Sequence, residues 1–592
     1  MSRSLFTRLV LVGAVLGGTA LAFFWTNRGL PAEDKQPEPR PGLRRPVALA
    51  LADKGKWLFV AHRSGTVSVI NTELLKVVDE VSVGRRLSDL TVTPDGTGVV
   101  VVDEDAGELI VLRRRESGLD ATARVSVGTG PVSVQVSRDG SRGFVASLWS
   151  RRVTVVELGA AGGPKIRHSV PLLFPPGRQL LLSDPAKLVV ADAFGGRLAV
   201  IDPVKGEVES VRDLPAHNIR GLAVSGDGRH LLASHQVLSA RATTSLADVH
   251  WGNLLTNNLR EISLAAVRNP KADLLADSRL HHLGEAGRGA GDPAGLAVTS
   301  NGTVVLALAG VGEVAVSGQR DGAWERLSVG RRPTALVLAP DGRYAFVANT
   351  FSDSVSVIDL KARRVTAELQ LAEKTEATAA DRGEVLFHDA RLSHDGWFSC
   401  HSCHTDGHTN GLLADTLGDG SYATPKHVPS LRGVKDTSPF GWTGSVKELQ
   451  TQVRSSVETT MRGAKLTAAQ DADLVAYLRT LPPAPPINRF AEKSQAEAVR
   501  RGAAVFREQG CVVCHEPPTY TSAKTFDVGL ADEAGNRTFN PPSLRGVSQA
   551  EAFFHDGRAR ALPDVFTKHR HGLKVELPRN ELDDLLAFLA NL

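Results

Sequence analysis

Cysteine is nearly missing from this 592-residue chain. There are four, all inside two short clusters, which leaves none over for a disulfide framework. Methionine is scarcer still, with only Met1 and Met461, and aromatic residues make up 5%. Charge of one sign is also lacking: 69 Lys+Arg against 65 Asp+Glu leave a formal +4, which is no electrostatic footprint for nucleic acid. At 42% hydrophobic residues, with Gly at 56 and Pro at 31, the chain is neither wholly disordered nor a polytopic membrane protein. Its length predicts several domains or a repeat array.

A long apolar stretch, Leu9 to Trp25, follows Arg3 and Arg8 and precedes the polar, Pro-rich run NRGLPAEDKQPEPRPGLRRP. Charge followed by apolar residues is the layout of an export signal, with Ala20-Leu21-Ala22 as a small-residue cleavage site. Seventeen residues are also just enough for an uncleaved membrane anchor. No Cys follows, which excludes lipid attachment there. The expectation is an exported protein, periplasmic or in the cell envelope, with the Pro-rich run as an extended spacer.

Repeats fill the rest of the first two thirds. GLAVSGDGRHLLASH (221–235) resembles ALVLAPDGRYAFVANTFSDSVSVIDL (335–360), and both resemble stretches at 49–72, 90–112 and 134–158. Each unit reads as an alternating apolar strand, an Asp/Asn-Gly turn, a second strand, a polar turn and a third strand. Anchored on the turn, the units fall at Asp53, Asp95, Asp139, Asp184, Asp227, Asn301 and Asp341, at intervals of 42, 44, 45, 43, 74 and 40 residues. That period is the signature of propeller blades, and seven units close one ring. The units resemble YVTN-type β-propeller repeats. Their polar residues fall in turns, so the expected role is a rigid scaffold. The long interval predicts an insertion between blades five and six, at about 236–290. It holds His250, Trp251, Asn253, Asn257, Asn258, His281 and His282, and reads either as a surface excursion or as a segment reaching over the second domain.

After Leu371 the alternation gives way to helical periodicity. Here lie Cys400-His401-Ser402-Cys403-His404 and Cys511-Val512-Val513-Cys514-His515. C-x-x-C-H is what covalent haem c attachment requires: two thiols a helical turn apart add to the haem vinyl groups, and the next His ligates iron. A zinc site shared by all four cysteines is disfavoured by the 107 residues between the clusters. A dithiol redox motif would not need the following His. The two halves are copies. Ser430-Leu431-Arg432-Gly433-Val434 recurs 113 residues later as Ser543-Leu544-Arg545-Gly546-Val547, and LTAAQDADLVAYLRTL (466–481) matches LPRNELDDLLAFLANL (577–592). LPPAPPINRF (481–490) joins them.

RLSHDGWFSCHSCH (391–404), the Trp442-Thr443-Gly444 segment, GCVVCH (510–515) and FFHDGRARAL (553–562) resemble bacterial di-haem cytochrome c peroxidases and the related methylamine-utilisation di-haem enzyme, over about 373–592. The resemblance implies two covalent haem c groups. Cys400 and Cys403 would tether a peroxidatic haem with His404 as proximal ligand, and Cys511, Cys514 and His515 an electron-supplying one. Trp442 takes the position of a relay tryptophan, although Thr443 and Ser445 replace the family's Asp and Arg. Glu458 is the nearest match to the family's catalytic Glu, four residues short in spacing. Where the family has a Met ligand to the second haem, counting lands on His569, with His571 as neighbour. A His in place of Met lowers the haem potential. No distal His precedes the first Pro-Ser-Leu motif, where Asp419-Gly420-Ser421 stands. That leaves an open haem or a substitute in His427, His408 or Met461. His427 also stands where the family's calcium-associated Asn is expected, so calcium is not predicted.

The expected layout is a signal peptide or anchor (1–25), a linker (26–45), an all-β seven-bladed propeller (46–371) and an all-α tandem of cytochrome c-like haem domains (372–486 and 487–592). The expected chemistry is reduction of hydrogen peroxide, or its use to oxidise a partner, with a small redox protein exchanging electrons. The alternatives are a pure electron-transfer cytochrome and a binding module with the haems as redox sensor.

Overall fold

The computed structural model describes residues 42–592 except 117, 184, 319–322, 374, 419 and 488–492. The expected signal or anchor segment and the turn residue Asp184 lie outside the described residues. Among those described, no helix is long and apolar enough to cross a membrane.

Seven four-stranded antiparallel sheets succeed one another from Pro46 to Gln370. Middle strands such as Gly98–Asp103 (GVVVVD) are buried on both faces, and outer strands such as Arg364–Gln370 alternate between exposed and half-buried positions. The sequence reason is plain: near-continuous Val runs suit strands sandwiched between neighbouring sheets, and alternation suits the rim. The turns repeat one piece of chemistry. Asp95 accepts from Thr93 Oγ1 at 2.6 Å, Asp139 from Ser137 Oγ at 2.5 Å and Asp227 from Ser225 Oγ at 2.5 Å. The glycine that follows sits at φ of +70° to +74°, which a side chain would disfavour.

Every blade is one continuous run of four strands, so the ring closes without exchanging a strand between its ends. Closure rests on apolar packing of Leu58, Val60 and Ile70 against Phe346, Val355 and Val357. Two hydrogen bonds cross the same seam, Thr350 Oγ1 to Pro46 O (2.7 Å) and Arg45 N to Asp353 Oδ1 (2.6 Å).

The extra residues of the long interval fall inside blade five rather than between blades. Its second and third strands, His230–Leu238 and Leu255–Ser263, are nine residues each, and its fourth, Arg279–His282, lies within 236–290 as well. Counting from turn to turn cannot separate a longer hairpin from an inserted segment, because both only lengthen the interval.

The helical part is a structural duplication. Ala379–Phe387 crosses Ala468–Leu478, and Lys493–Glu508 crosses Arg579–Leu589. At each crossing a glycine lets the backbones meet: a Cβ on Gly383 would lie 1.9 Å from Asp473 O, and one on Gly502 1.9 Å from Asp584 O. Beside each, an arginine forks onto the same aspartate, Arg382 on Asp473 (2.8 and 2.7 Å) and Arg501 on Asp584 (2.6 and 2.7 Å). Replacing Gly383 by Ala therefore forces the helices apart. It is expected to cost about 1–3 kcal/mol or more, read as a lower guanidinium midpoint for the haem-loaded protein, with Arg382→Lys having a smaller effect.

Candidate functional site

The first CxxCH is a short helix, Cys400–Cys403, pressed onto the propeller. Its Ser402 carbonyl accepts from His217 Nε2 (3.1 Å) and Asn218 Nδ2 (3.0 Å). The hydroxyls of Ser399 and Ser402 donate to the two oxygens of Asp292, at 2.5 and 2.6 Å. Gln236 Nε2 reaches Ser402 Oγ at 3.3 Å, and Thr405 Oγ1 donates to Asn218 Oδ1 at 2.5 Å. All of these partners are buried, where an unpaired polar group would be costly. The propeller is thus more than a distant scaffold. His217, Asn218, Gln236 and Asp292 went unread in the sequence because nothing local marks them. At the positions of Asn218 and Asp292 other blades carry Arg45, Arg86 and Arg332, so the only available signal was an amide or an acid in place of an arginine.

Trp397, three residues before Cys400, adds a lock. Its ring is buried where a Cβ on Gly252 or Gly284 would come within 2.6 and 2.9 Å of it. Its Nε1 donates to His250 O at 3.1 Å, and Asn257 Nδ2 donates to Trp397 O at 2.8 Å. The 236–290 segment does touch the haem-motif region.

His404 Nδ1 lies 2.9 Å from Pro429 O and His515 Nδ1 3.1 Å from Tyr520 O. Those carbonyls hold the proton on Nδ1 and leave Nε2 as the nitrogen available to iron. Burial pushes both imidazoles down to about 4, which keeps them in the neutral form that ligates. A continuous cavity of about 780 Å³ is lined by both cysteine pairs, His404 and His515, together with Trp442, His427, His555, His571 and Met461. Its walls are mainly apolar. This donor set and enclosure fit one haem c at each motif.

The other expected site residues separate by position. Trp442 and His427 sit at the seam between the two halves: Trp442 Nε1 donates to His427 O at 2.7 Å, and Asn540 N to Trp442 O at 2.7 Å. His427 N donates to His555 O at 2.6 Å. The His427 side chain is buried and its Nε2 has no partner, and burial lowers it to about 4. Glu458 is exposed and does not line the cavity; it lies in the irregular turn Ser456–Thr460, whose Ser456, Val457 and Thr460 face inward instead. His571 lines the cavity and His569 does not, although both rings lie 5.3 Å from Phe554. His408 is engaged elsewhere, with Ser430 Oγ at 2.9 Å and against the propeller's Trp149 and Phe194. Met461 Sδ is 4.0 Å from Cys400 Sγ.

Residues 377–491 match the family model for di-haem cytochrome c peroxidase. Within the helical part, those residues, which hold the first CxxCH, are the stretch that matches the di-haem cytochrome c peroxidase family. Curated relatives each match over about a third of the chain. Hydrazine synthase subunit gamma of Kuenenia stuttgartiensis is 29% identical over 268 residues, covering 35% of this chain and 75% of that protein. Methylamine utilization protein MauG of Methylorubrum extorquens is 26% identical over 275 residues, 36% and 76%. Cytochrome c551 peroxidase of Nitrosomonas europaea is 24% identical over 268 residues, 36% and 80%. The chain accordingly joins a seven-bladed propeller to a domain similar to those of di-haem oxidoreductases.

Buried histidines contribute to its acid sensitivity. An unfolded histidine takes a proton near 6.5, whereas burial holds His217 and His408 neutral down to about 3 and His235 to about 4. Between these values the unfolded state binds more protons, so this stability is full above pH 6.5 and is lost as pH falls toward 4, by up to about 1.4 kcal/mol per unit for each histidine. Thermal unfolding of the haem-loaded protein from about pH 7.5 to about 4.5 is expected to show that fall, and His217→Asn to flatten it.

Proposed function

We propose that this chain is an exported di-haem enzyme that reduces hydrogen peroxide, or uses it to oxidise a partner, at a haem c held by Cys400, Cys403 and His404. Cys511, Cys514 and His515 would hold a second haem c, which would supply electrons drawn from a small redox protein. When bound, the haems supply the redox chemistry; the protein's part is ligation, spacing and proton handling. The observation that carries this reading is His427: a buried imidazole with an unpartnered Nε2, on a cavity that joins both CxxCH motifs.

Cleaving peroxide needs a group that takes the proton from one oxygen and returns it to the other, so that the leaving oxygen departs as water. His427, neutral near pH 7, is suited to accept that proton at Nε2. We assign this role to His427 rather than Glu458, whose exposed position keeps its carboxylate out of the cavity. Trp442, bonded to both halves, remains the electron relay of this proposal. As the histidine that would help hold the second haem together with His515 we assign His571 over His569, because of the two only His571 lines the cavity.

In the haem-loaded protein His427→Gln is expected to cut peroxide turnover by about 10²–10⁴-fold, while Glu458→Gln leaves it within about twofold. The reverse pattern would return the role to Glu458. The exposure of Glu458 also favours a second reading, an electron carrier. Two low-spin haems, unchanged by peroxide when oxidised or half reduced, would establish the carrier and sink the enzyme. Separately, His571→Ala should turn one low-spin EPR signal high-spin, and His569→Ala should not.

A further inference from the structure

Blade five sends a loop to the segment that leads into the first CxxCH, and three metal-ligating side chains meet there. His250 ends the short helix Leu246–His250, while His394 and Asp395 form the turn His394–Gly396. One ligating atom from each lies within 4.8 Å of the others. Asp395 Oδ2 is shared: His250 Nδ1 is 2.6 Å from it and His394 Nε2 3.3 Å. We infer that His250, His394 and Asp395 form a divalent transition-metal site, of the zinc class, that fastens the propeller to the haem-bearing segment.

The backbone around the cluster is fixed by bonds that do not involve the ligand atoms. Trp397 Nε1 holds His250 O at 3.1 Å. Met461 O holds His394 N at 2.9 Å, and Gly289 N holds Asp395 O at 2.7 Å. Asp395 itself is kept at φ +59°, a conformation that costs energy in a non-glycine residue. The three side chains therefore start close to a common point, and little ordering remains for an ion to impose. Both imidazoles are a little over one-third exposed and the carboxylate about one-sixth, so an ion has access and the rings have room to turn.

Two imidazole nitrogens and one carboxylate oxygen suit a borderline cation such as Zn²⁺, bound at roughly 2.0–2.2 Å with water as fourth ligand. Ca²⁺ wants six to eight oxygens, and this cluster has too few. Drawing the three donors onto one ion shortens the widest separations and replaces the His250–Asp395 hydrogen bond with a stronger tie between segments 145 residues apart. The site depends on neither haem nor on the proposed reaction.

The test uses the full haem-loaded protein, in which the cysteine sulfurs are committed to haem, freed of metal by chelator and titrated with ZnCl₂ by calorimetry. One equivalent is expected to bind, with affinity falling tenfold or more in His250→Gln and in His394→Gln but not in His282→Gln, a histidine of the same blade outside the cluster. Each variant is checked for an unchanged Soret spectrum. X-ray absorption of the zinc-loaded wild type should show two imidazoles plus oxygen. No stoichiometric binding, equal binding in both cluster variants, or a shell without imidazole overturns the inference.

Discussion

The grip of the propeller on Ser402 is the constraint on which the rest depends. A CxxCH helix is only four residues long, too short to be stable from its own hydrogen bonds. Its carbonyl and hydroxyls are served by His217, Asn218, Gln236 and Asp292, three of them on blade five and one at the entrance to blade six. The side of the motif away from the haem cavity is therefore a polar, hydrogen-bonded surface with defined geometry. A dense buried hydrogen-bond network rigidifies its surroundings, although His217 Nδ1 has no partner in it. The position of His404, two residues on, follows from it.

The second organising feature is an approximate two-fold exchange between the halves. A shift of 113 residues carries His427 onto Asn540 and Trp442 onto His555. Correspondingly, His427 N bonds His555 O and Asn540 N bonds Trp442 O: each half gives one donor and one acceptor to the other, at equivalent places. The duplication thus makes its own interface, much as a self-complementary patch pairs two identical subunits. Specialisation has come from substitution at these equivalent points. In one half the pair is His and Trp, in the other Asn and His, so the cavity is unlike at its two ends while the backbone seam remains alike.

The parts legible in the sequence were those with local causes. The Ser/Thr-x-Asp/Asn-Gly turns announce themselves because the side chain bonds within its own four residues, and C-x-x-C-H carries its ligands in five. Arg382-Gly383 and Arg501-Gly502 stood out as copies, although their purpose, a helix crossing too close for a Cβ, shows only in three dimensions. What escaped reading depended on direction or on distant partners. Glu458 and His571 differ from their neighbours only in which way the local backbone turns them, and an irregular turn at 456–460 defeats a count based on regular helix. The Asp292 clamp joins residues more than a hundred positions apart, and the duplicated halves gave no hint of it because only the first meets the propeller in this way.

The ring closed without a shared strand has a consequence for how the molecule comes together. Propellers stitched by a strand from the far end of the chain must wait for that end before the circle is complete; here each blade is finished as soon as its own four consecutive strands are available. The junction between last and first blades is left to side-chain packing, and the helix that directly follows reinforces it. Asp381 pairs with Arg45 at 3.3 Å and Glu384 with Arg63 at 2.7 Å, both arginines belonging to blade one. The helical domain therefore acts as the buckle of a belt. It grips the circle at two places, the first helix on blade one and the CHSCH motif on blades five and six, so its docking braces the ring across its diameter as well as at the junction.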